Sequence, residues 1–167
     1  MKSVLLATLA LLVANSAVAQ QKQQVAFTVP AENSKFTQQL TIDVGDMPNH
    51  VVRVFEVRYT FPNNAPVING LKLVEEWDRG FGDRIDGSGP ATIYTVYVME
   101  NGDRFFTRSV GVVQNTAGKL TNTVVGNITA GTGKLAGIQG NTRSVANFNY
   151  NTGFVEPQIE IEYWIGK

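Results

Sequence analysis

"GTGKLAGIQG", Gly131 to Gly140, is the stretch on which the fold turns. Gly131, Gly133 and Lys134 stand close together, with Gly137 and Gly140 behind them, so a phosphate-binding loop is the first reading. The spacing excludes it. The nucleotide loop G-x-x-x-x-G-K-[ST] needs a hydroxyl after its lysine, and Leu135 follows Lys134. The dinucleotide fingerprint G-x-G-x-x-G fails as well, because its third glycine falls at Gly137, one place late. Both motifs also join a strand to a helix, whose N-terminus meets the phosphate. Here "KLTNTVVGNIT" (119–129) precedes and "TRSVANFNY" (142–150) follows, and both read as strands. The glycines therefore serve backbone geometry at a corner between strands.

The same grammar runs along the chain. Candidate strands are 37–44, 51–61, 71–79, 91–99, 104–114, 119–129, 143–150 and 158–165. Between them lie Gly, Asn, Asp and Pro clusters such as "GDMPN", "PNNAPVING" and "GFGDRIDGSGP", the usual chain breakers. No window carries a sustained helical period with caps. Strands with this punctuation predict an antiparallel barrel or sandwich over residues 36–167, with 20–35 an extended N-terminal arm.

Asn101-Gly102 predicts a hairpin with a type I′ turn, both residues at positive φ. Glu100 then pairs with Asp103, Val98 with Phe105, Tyr97 with Phe106 and Thr95 with Arg108. In that register neither face is plainly polar, so the hairpin is expected to be covered on both sides.

Residues 1–19 read as a signal peptide. Lys2 precedes the apolar run "VLLATLALLVA", and Ala17-Val18-Ala19 is a small-residue cleavage site. The run is shorter than the roughly 20 apolar residues of a spanning helix, so no stable membrane span is expected after cleavage. The protein is expected to be exported, to the periplasm or beyond. Export permits disulfides, yet the 167 residues include no cysteine. That excludes thiolate chemistry and cysteine zinc sites, and His50, the only histidine, excludes a histidine metal cluster. No metal and no cofactor are expected. The 14 basic and 14 acidic residues balance without a basic run, which argues against nucleic acid as a partner.

The densest chemistry is "EEWD", Glu75 to Asp78. Adjacent Glu75 and Glu76 point to opposite faces of a strand, so one of them looks inward. A carboxyl inside an apolar lumen has a raised pKa and can move protons near neutral pH. Arg53, Arg58 and Arg79 lie near in sequence, and ion pairs on a wet outer face are the plainer account of the same residues. Arg58, Glu76 and Arg108 are the candidate lumen polar groups, with Trp77 and Tyr97 as walls. Glu56, Glu75, Glu76 and Asp78 could include a general acid and base, and Glu75 and Glu76 are the candidate catalytic residues carried forward; Tyr59 is among the aromatics that could line a cavity.

"NITAGTGKLAGIQG" (127–140) resembles the glycine-rich turn G-G-T-G-x-F-x-x-A-x-G of dirigent proteins and the similar turn of allene oxide cyclases. It departs at Ala130 for the first glycine, at Leu135 for the aromatic, and at Ile138-Gln139 before Gly140. "VYVMENGDRFF", "LVEEWDRG" and "IEIEYWIGK" are similar to segments of small exported bacterial proteins with the same barrel. The resemblance implies an all-β, eight-stranded antiparallel barrel of the allene oxide cyclase type. It also implies a small hydrophobic ligand in the lumen and a homo-oligomer, trimer or dimer. It carries no catalytic residues across. The function expected is lumen binding of a small apolar or amphipathic molecule. A cofactor-free cyclase or isomerase and a structural protein with a filled barrel are the alternatives. Lumen volume separates them, since ligand sites run to roughly 300–1,000 Å³.

Overall fold

A computed structural model describes residues 21–166. The expected signal peptide, residues 1–19, lies outside the described residues. Ten strands form: β1 (Gln23–Thr28), β2 (Ser34–Asp43), β3 (His50–Thr60), β4 (Val67–Ile68), β5 (Leu71–Ile85), β6 (Gly89–Met99), β7 (Arg104–Thr116), β8 (Lys119–Gly131), β9 (Ile138–Asn149) and β10 (Phe154–Ile165). All are antiparallel to their neighbours, in the order β1-β10-β9-β8-β7-β6-β5-β3-β2, and β4 pairs only with β5. The sheet curls until β2 approaches β10, but β1 and β2 do not pair, so the barrel is not closed.

Two strands exceed the expected eight. In β1 the glutamines hide a short alternation in which Val25 and Phe27 pack against the core, and its backbone pairs with β10 from Gln23↔Tyr163 to Thr28↔Gln158. The other, β4, is two residues long and sits inside a stretch that reads as loop.

Inward residues follow the pleat. Val29, Ile68, Leu73, Met99, Phe105, Leu135, Ile161 and Tyr163 are fully buried and seal one end. The Tyr163 hydroxyl accepts from the Asn69 backbone N–H at 2.7 Å, and Asn69 Nδ2 donates to the Lys134 carbonyl at 3.0 Å. The glycine stretch is thereby pinned to the β4–β5 turn at the sealed end. Outside, Leu40, Val54, Phe81, Val110 and Val125 lie in register across the sheet and are each half exposed or more.

The 101–102 hairpin takes a different turn from the expected one. Gly102 has φ 85°, but Asn101 is not at positive φ. The Asn101 side chain instead accepts from the Asp103 N–H at 3.0 Å, a local bond that holds an ordinary turn. Gly102 N–H bonds the Met99 carbonyl at 2.9 Å and Met99 N–H bonds that of Asp103 at 2.8 Å. This is a type I turn followed by a left-handed glycine. The register moves by one: Tyr97 opposes Phe105, Thr95 opposes Thr107, and Val98 opposes Arg104. One residue of slip exchanges the faces of a whole strand. Phe105, Thr107 and Ser109 turn inward and are buried, while Arg104 and Arg108 turn outward.

At the glycine corner the backbone does cradle an anion, but the anion is internal. Asp103 Oδ2 accepts the Lys134 N–H at 2.9 Å and Asn101 Nδ2 at 2.7 Å. The Lys134 N–H holds the Asp103 carboxyl below its ordinary pKa. Gly133, at φ 52°, is where the Asp103 carboxylate touches: a Cβ there would fall 1.9 Å from Asp103 Oδ1. Gly133→Ala is expected to cost about 1–2 kcal/mol from the left-handed backbone alone, with the displaced carboxylate adding to it. Urea unfolding measures this, and a loss below about 0.5 kcal/mol would mean the corner relaxes freely. At Gly140 the limit is the neighbouring strand, since a Cβ would lie 2.0 Å from the Glu162 carbonyl.

Candidate lumen site

The site is built by one irregularity in β5. Leu73 pairs with Met99 but Glu75 pairs with Val98, so Val74 is an extra residue, a bulge. Leu71 and Leu73 face inward before it. Without the bulge the same phase would bring Glu75 into the lumen. With it, Glu76, Asp78, Gly80, Gly82 and Arg84 share the inner face, and Glu75, Trp77, Arg79 and Phe81 the outer one.

Glu76 is 2% exposed and lies with Asp78, Tyr59, Thr95 and Tyr97 in the wall of an internal cavity of about 70 Å³. Thr95 Oγ1 donates to Asp78 Oδ1 at 2.5 Å, and the Tyr59 hydroxyl lies against the same carboxyl. Burial pushes Asp78 up to about 6, with Thr95 and Tyr59 partly offsetting it. Burial also pushes Glu76 well up, the nearby Asp78 charge pushes it further, and the Tyr97 hydroxyl works in the other direction. Two carboxyls in one apolar enclosure cannot both ionise cheaply, so at least one proton stays with the pair near neutral pH. Glu76 Oε2 is buried and meets no hydrogen-bonding partner. Tyr97 stacks on Phe105 with ring centroids 4.2 Å apart and planes 4° apart, which fixes the phenol beside Glu76.

Beyond the acids the wall mixes apolar side chains, Phe55, Ile93, Val113, Val124 and Phe148, with the polar Ser109, Asn122 and Thr142. At the far end lies an open groove of about 520 Å³, lined in part by Arg53, Arg84 and Tyr150, and Arg84 and Tyr150 also stand in the wall of the lumen. Burial pulls the Arg84 guanidinium below its ordinary pKa, Tyr150 opposes that, and Arg53 adds to it.

The structure separates the expected site residues. Glu76 and Tyr97 line the cavity. Arg58, Trp77 and Arg108 do not: they stand on the outer face, and so does Glu75. Arg108 left the lumen through the hairpin register, Glu75 and Trp77 through the β5 bulge. Arg58 sits opposite Trp77 in the β3–β5 register and follows it outward. Arg58 pairs with Glu75, Trp77 Nε1 donates to Glu75 at 3.1 Å, and Arg58 and Arg79 stand over the Trp77 ring at 5.4 and 5.2 Å. Arg79 pairs with Glu56 at 2.7 Å. This ladder is the plain ion-pair account of the charges. Its Arg58 bond holds Glu75 below the usual carboxylate range, the reverse of what an acid catalyst needs. His50 is likewise structural, with its ring nitrogens 2.6 Å from Asp46 and 2.8 Å from Asp83.

Sequence reasoning counted Asp78 among the possible acids and bases and Tyr59 among the aromatics that could line a cavity, but carried neither forward as a lumen residue, and it passed over Arg84. Asp78 is two residues from Glu76, and that alternation was its signal. Arg84 lies in "GFGDRIDGSGP", where the glycines read as a loop. They are instead strand residues under other groups: a Cβ on Gly80 would meet the Thr92 carbonyl at 2.5 Å and the Phe55 ring at 2.8 Å. The Arg84 guanidinium lies over Gly82, 2.6 Å from where a Cβ would be.

No protein-family model and no curated protein matches this chain. Among solved structures, the pterocarpan synthase dirigent protein GePTS1 superposes with a TM-score of 0.54 over 96% of this chain and 100% of that one. The fold is that of a dirigent barrel. At 11% identity the likeness is one of fold, and the dirigent-type barrel positions the lumen without saying what fills it. Among the described residues no helix is long and apolar enough to cross a membrane.

Proposed function

We propose that this dirigent-type barrel binds the hydroxyl- or carbonyl-bearing end of a small amphipathic molecule at Glu76 and Asp78. The observation that carries the reading is Glu76 Oε2, buried at the cavity wall with no protein partner. A buried polar atom left unpaired costs about 1–3 kcal/mol, which a hydrogen-bonding ligand recovers. The lumen of about 70 Å³ is smaller than a ligand site for a whole drug-sized molecule. It accepts the leading group, and the remainder lies toward the groove. Calorimetry with 1-octanol tests this. Wild type should bind, and Glu76→Leu should stay folded and bind about ten-fold more weakly, the loss of one such hydrogen bond. Equal affinity in the two proteins, or none in wild type, removes the reading.

A second reading is favoured by Asp78, whose carboxyl at about 6 holds and releases a proton near neutral pH. A cofactor-free cyclase or isomerase would use it to protonate a substrate oxygen and take a proton back as product forms. The structural neighbour is by name a synthase. Asp78→Asn retaining the binding of wild type while losing turnover would separate this from binding alone. Export and self-association stay with the sequence reading. A homo-oligomer would cover the exposed row from Leu40 to Val125.

A further inference from the structure

We infer that Arg84, with Arg53, forms an anion subsite where the groove meets the lumen, so that the occupant is an amphipathic carboxylate whose anionic end stops there. This deepens the proposed lumen binding and rests on it. Arg84 is 3% exposed, and its Nε is buried without a partner. Its other contacts are neutral: Nη1 donates to the carbonyls of Asp83 and Pro90. Asp83, the nearest acid in sequence, turns outward to His50. Arg53 spends its charge on the Tyr150 ring, 3.5 Å from the centroid, and on Gln39 Oε1 at 3.1 Å. Among the described residues neither arginine has an ion-pair partner.

An isolated buried charge is strongly disfavoured unless it is paired, and an arginine cannot escape by losing its proton at any ordinary pH. The surrounding protein supplies a ring, a phenol and carbonyls, but no ion-paired carboxylate: Asp83 acts on Arg84 without a salt bridge, and Asp86 of the same groove is bonded by Asn49 Nδ2 at 2.9 Å. A carboxylate arriving through the groove supplies it, with the fork geometry of guanidinium to receive it. The guanidinium folds back over Gly82, four residues along β5 from Asp78. At the rise of a strand, the two polar subsites are roughly 13 Å apart. A chain of about eight carbons with a hydroxyl at one end and a carboxylate at the other spans that distance, its hydroxyl end entering the small lumen and its anionic end held by Arg84 on the groove side.

The experiment is calorimetry with 8-hydroxyoctanoate and its uncharged counterpart 8-hydroxyoctanamide. Wild type should prefer the carboxylate by at least ten-fold. Arg84→Met should lose that preference and bind the two compounds alike. Should that variant fail to fold, Arg53→Gln, at the partly exposed rim, should reduce the preference several-fold. Equal affinity of wild type for the two compounds, weakened alike by Glu76→Leu, overturns the anion subsite and leaves lumen binding standing. If neither compound binds and 1-octanol does not either, lumen binding falls and the subsite falls with it.

Discussion

Phe105→Ala is expected to lower the stability of the fold by about 3–5 kcal/mol, the range for emptying a fully buried phenylalanine site. Phe105 has no exposed surface, and one face of its ring lies flat on Tyr97. The residues around it at the sealed end are held by long-range strand pairing, so the cavity cannot close by a local shift. Tyr97 would lose the partner that sets its phenol beside Glu76, and ligand affinity should fall with stability. Denaturant unfolding measures the first and calorimetry the second. Phe106→Ala, one residue along on the partly exposed outer side, is the control and should cost much less. If the two variants lose equal stability, the observed hairpin register is wrong and the type I′ pairing returns.

Asp78→Asn is expected to stabilise the protein at pH 7 and to flatten its stability between pH 4 and 7. The folded pKa of Asp78 is raised from 3.8 to about 6, chiefly by burial. A group raised on folding favours the folded state in its protonated form. Its contribution is complete below about 3.8 and is lost as the pH climbs through about 6. A rise of that size corresponds to roughly 3 kcal/mol, which wild type gives up on going from acid to neutral pH. Asparagine keeps an oxygen to accept from Thr95 and carries no charge to desolvate. Glu76, raised in the same direction, adds a slope of the same sign. Parallel stability curves for wild type and Asp78→Asn across pH 4–7 would show that the lumen carboxyl titrates as it does in water.

Much of the architecture is legible from local chemistry. Alternating segments bounded by Gly, Asn, Asp and Pro mark eight of the ten strands, and the strands flanking Gly131–Gly140 rule out a nucleotide loop. What local chemistry does not carry is phase. In β5 the residue types are plain, two leucines and then a run of acids, but Val74 inserts a bulge that no single-strand pattern announces. At the hairpin, Asn101-Gly102 permits two turn types, and a side-chain bond from Asn101 selects the one that moves the register by one place. Each choice turns a strand over. Together they remove Arg108, Glu75 and Trp77 from the lumen and bring in Phe105, Asp78 and Arg84. Arg58, facing Trp77 across the sheet, stays outside with it.

By itself, then, the sequence determined the class of the fold, its antiparallel order and the turn at the glycine corner, because those depend on periodicity and on where a backbone can bend. Only the tertiary structure decided that "GTGKLAGIQG" cradles Asp103, and which carboxyls and guanidinium face inward. Inside and outside are settled by cross-strand pairing, and a single extra residue in one strand exchanges them.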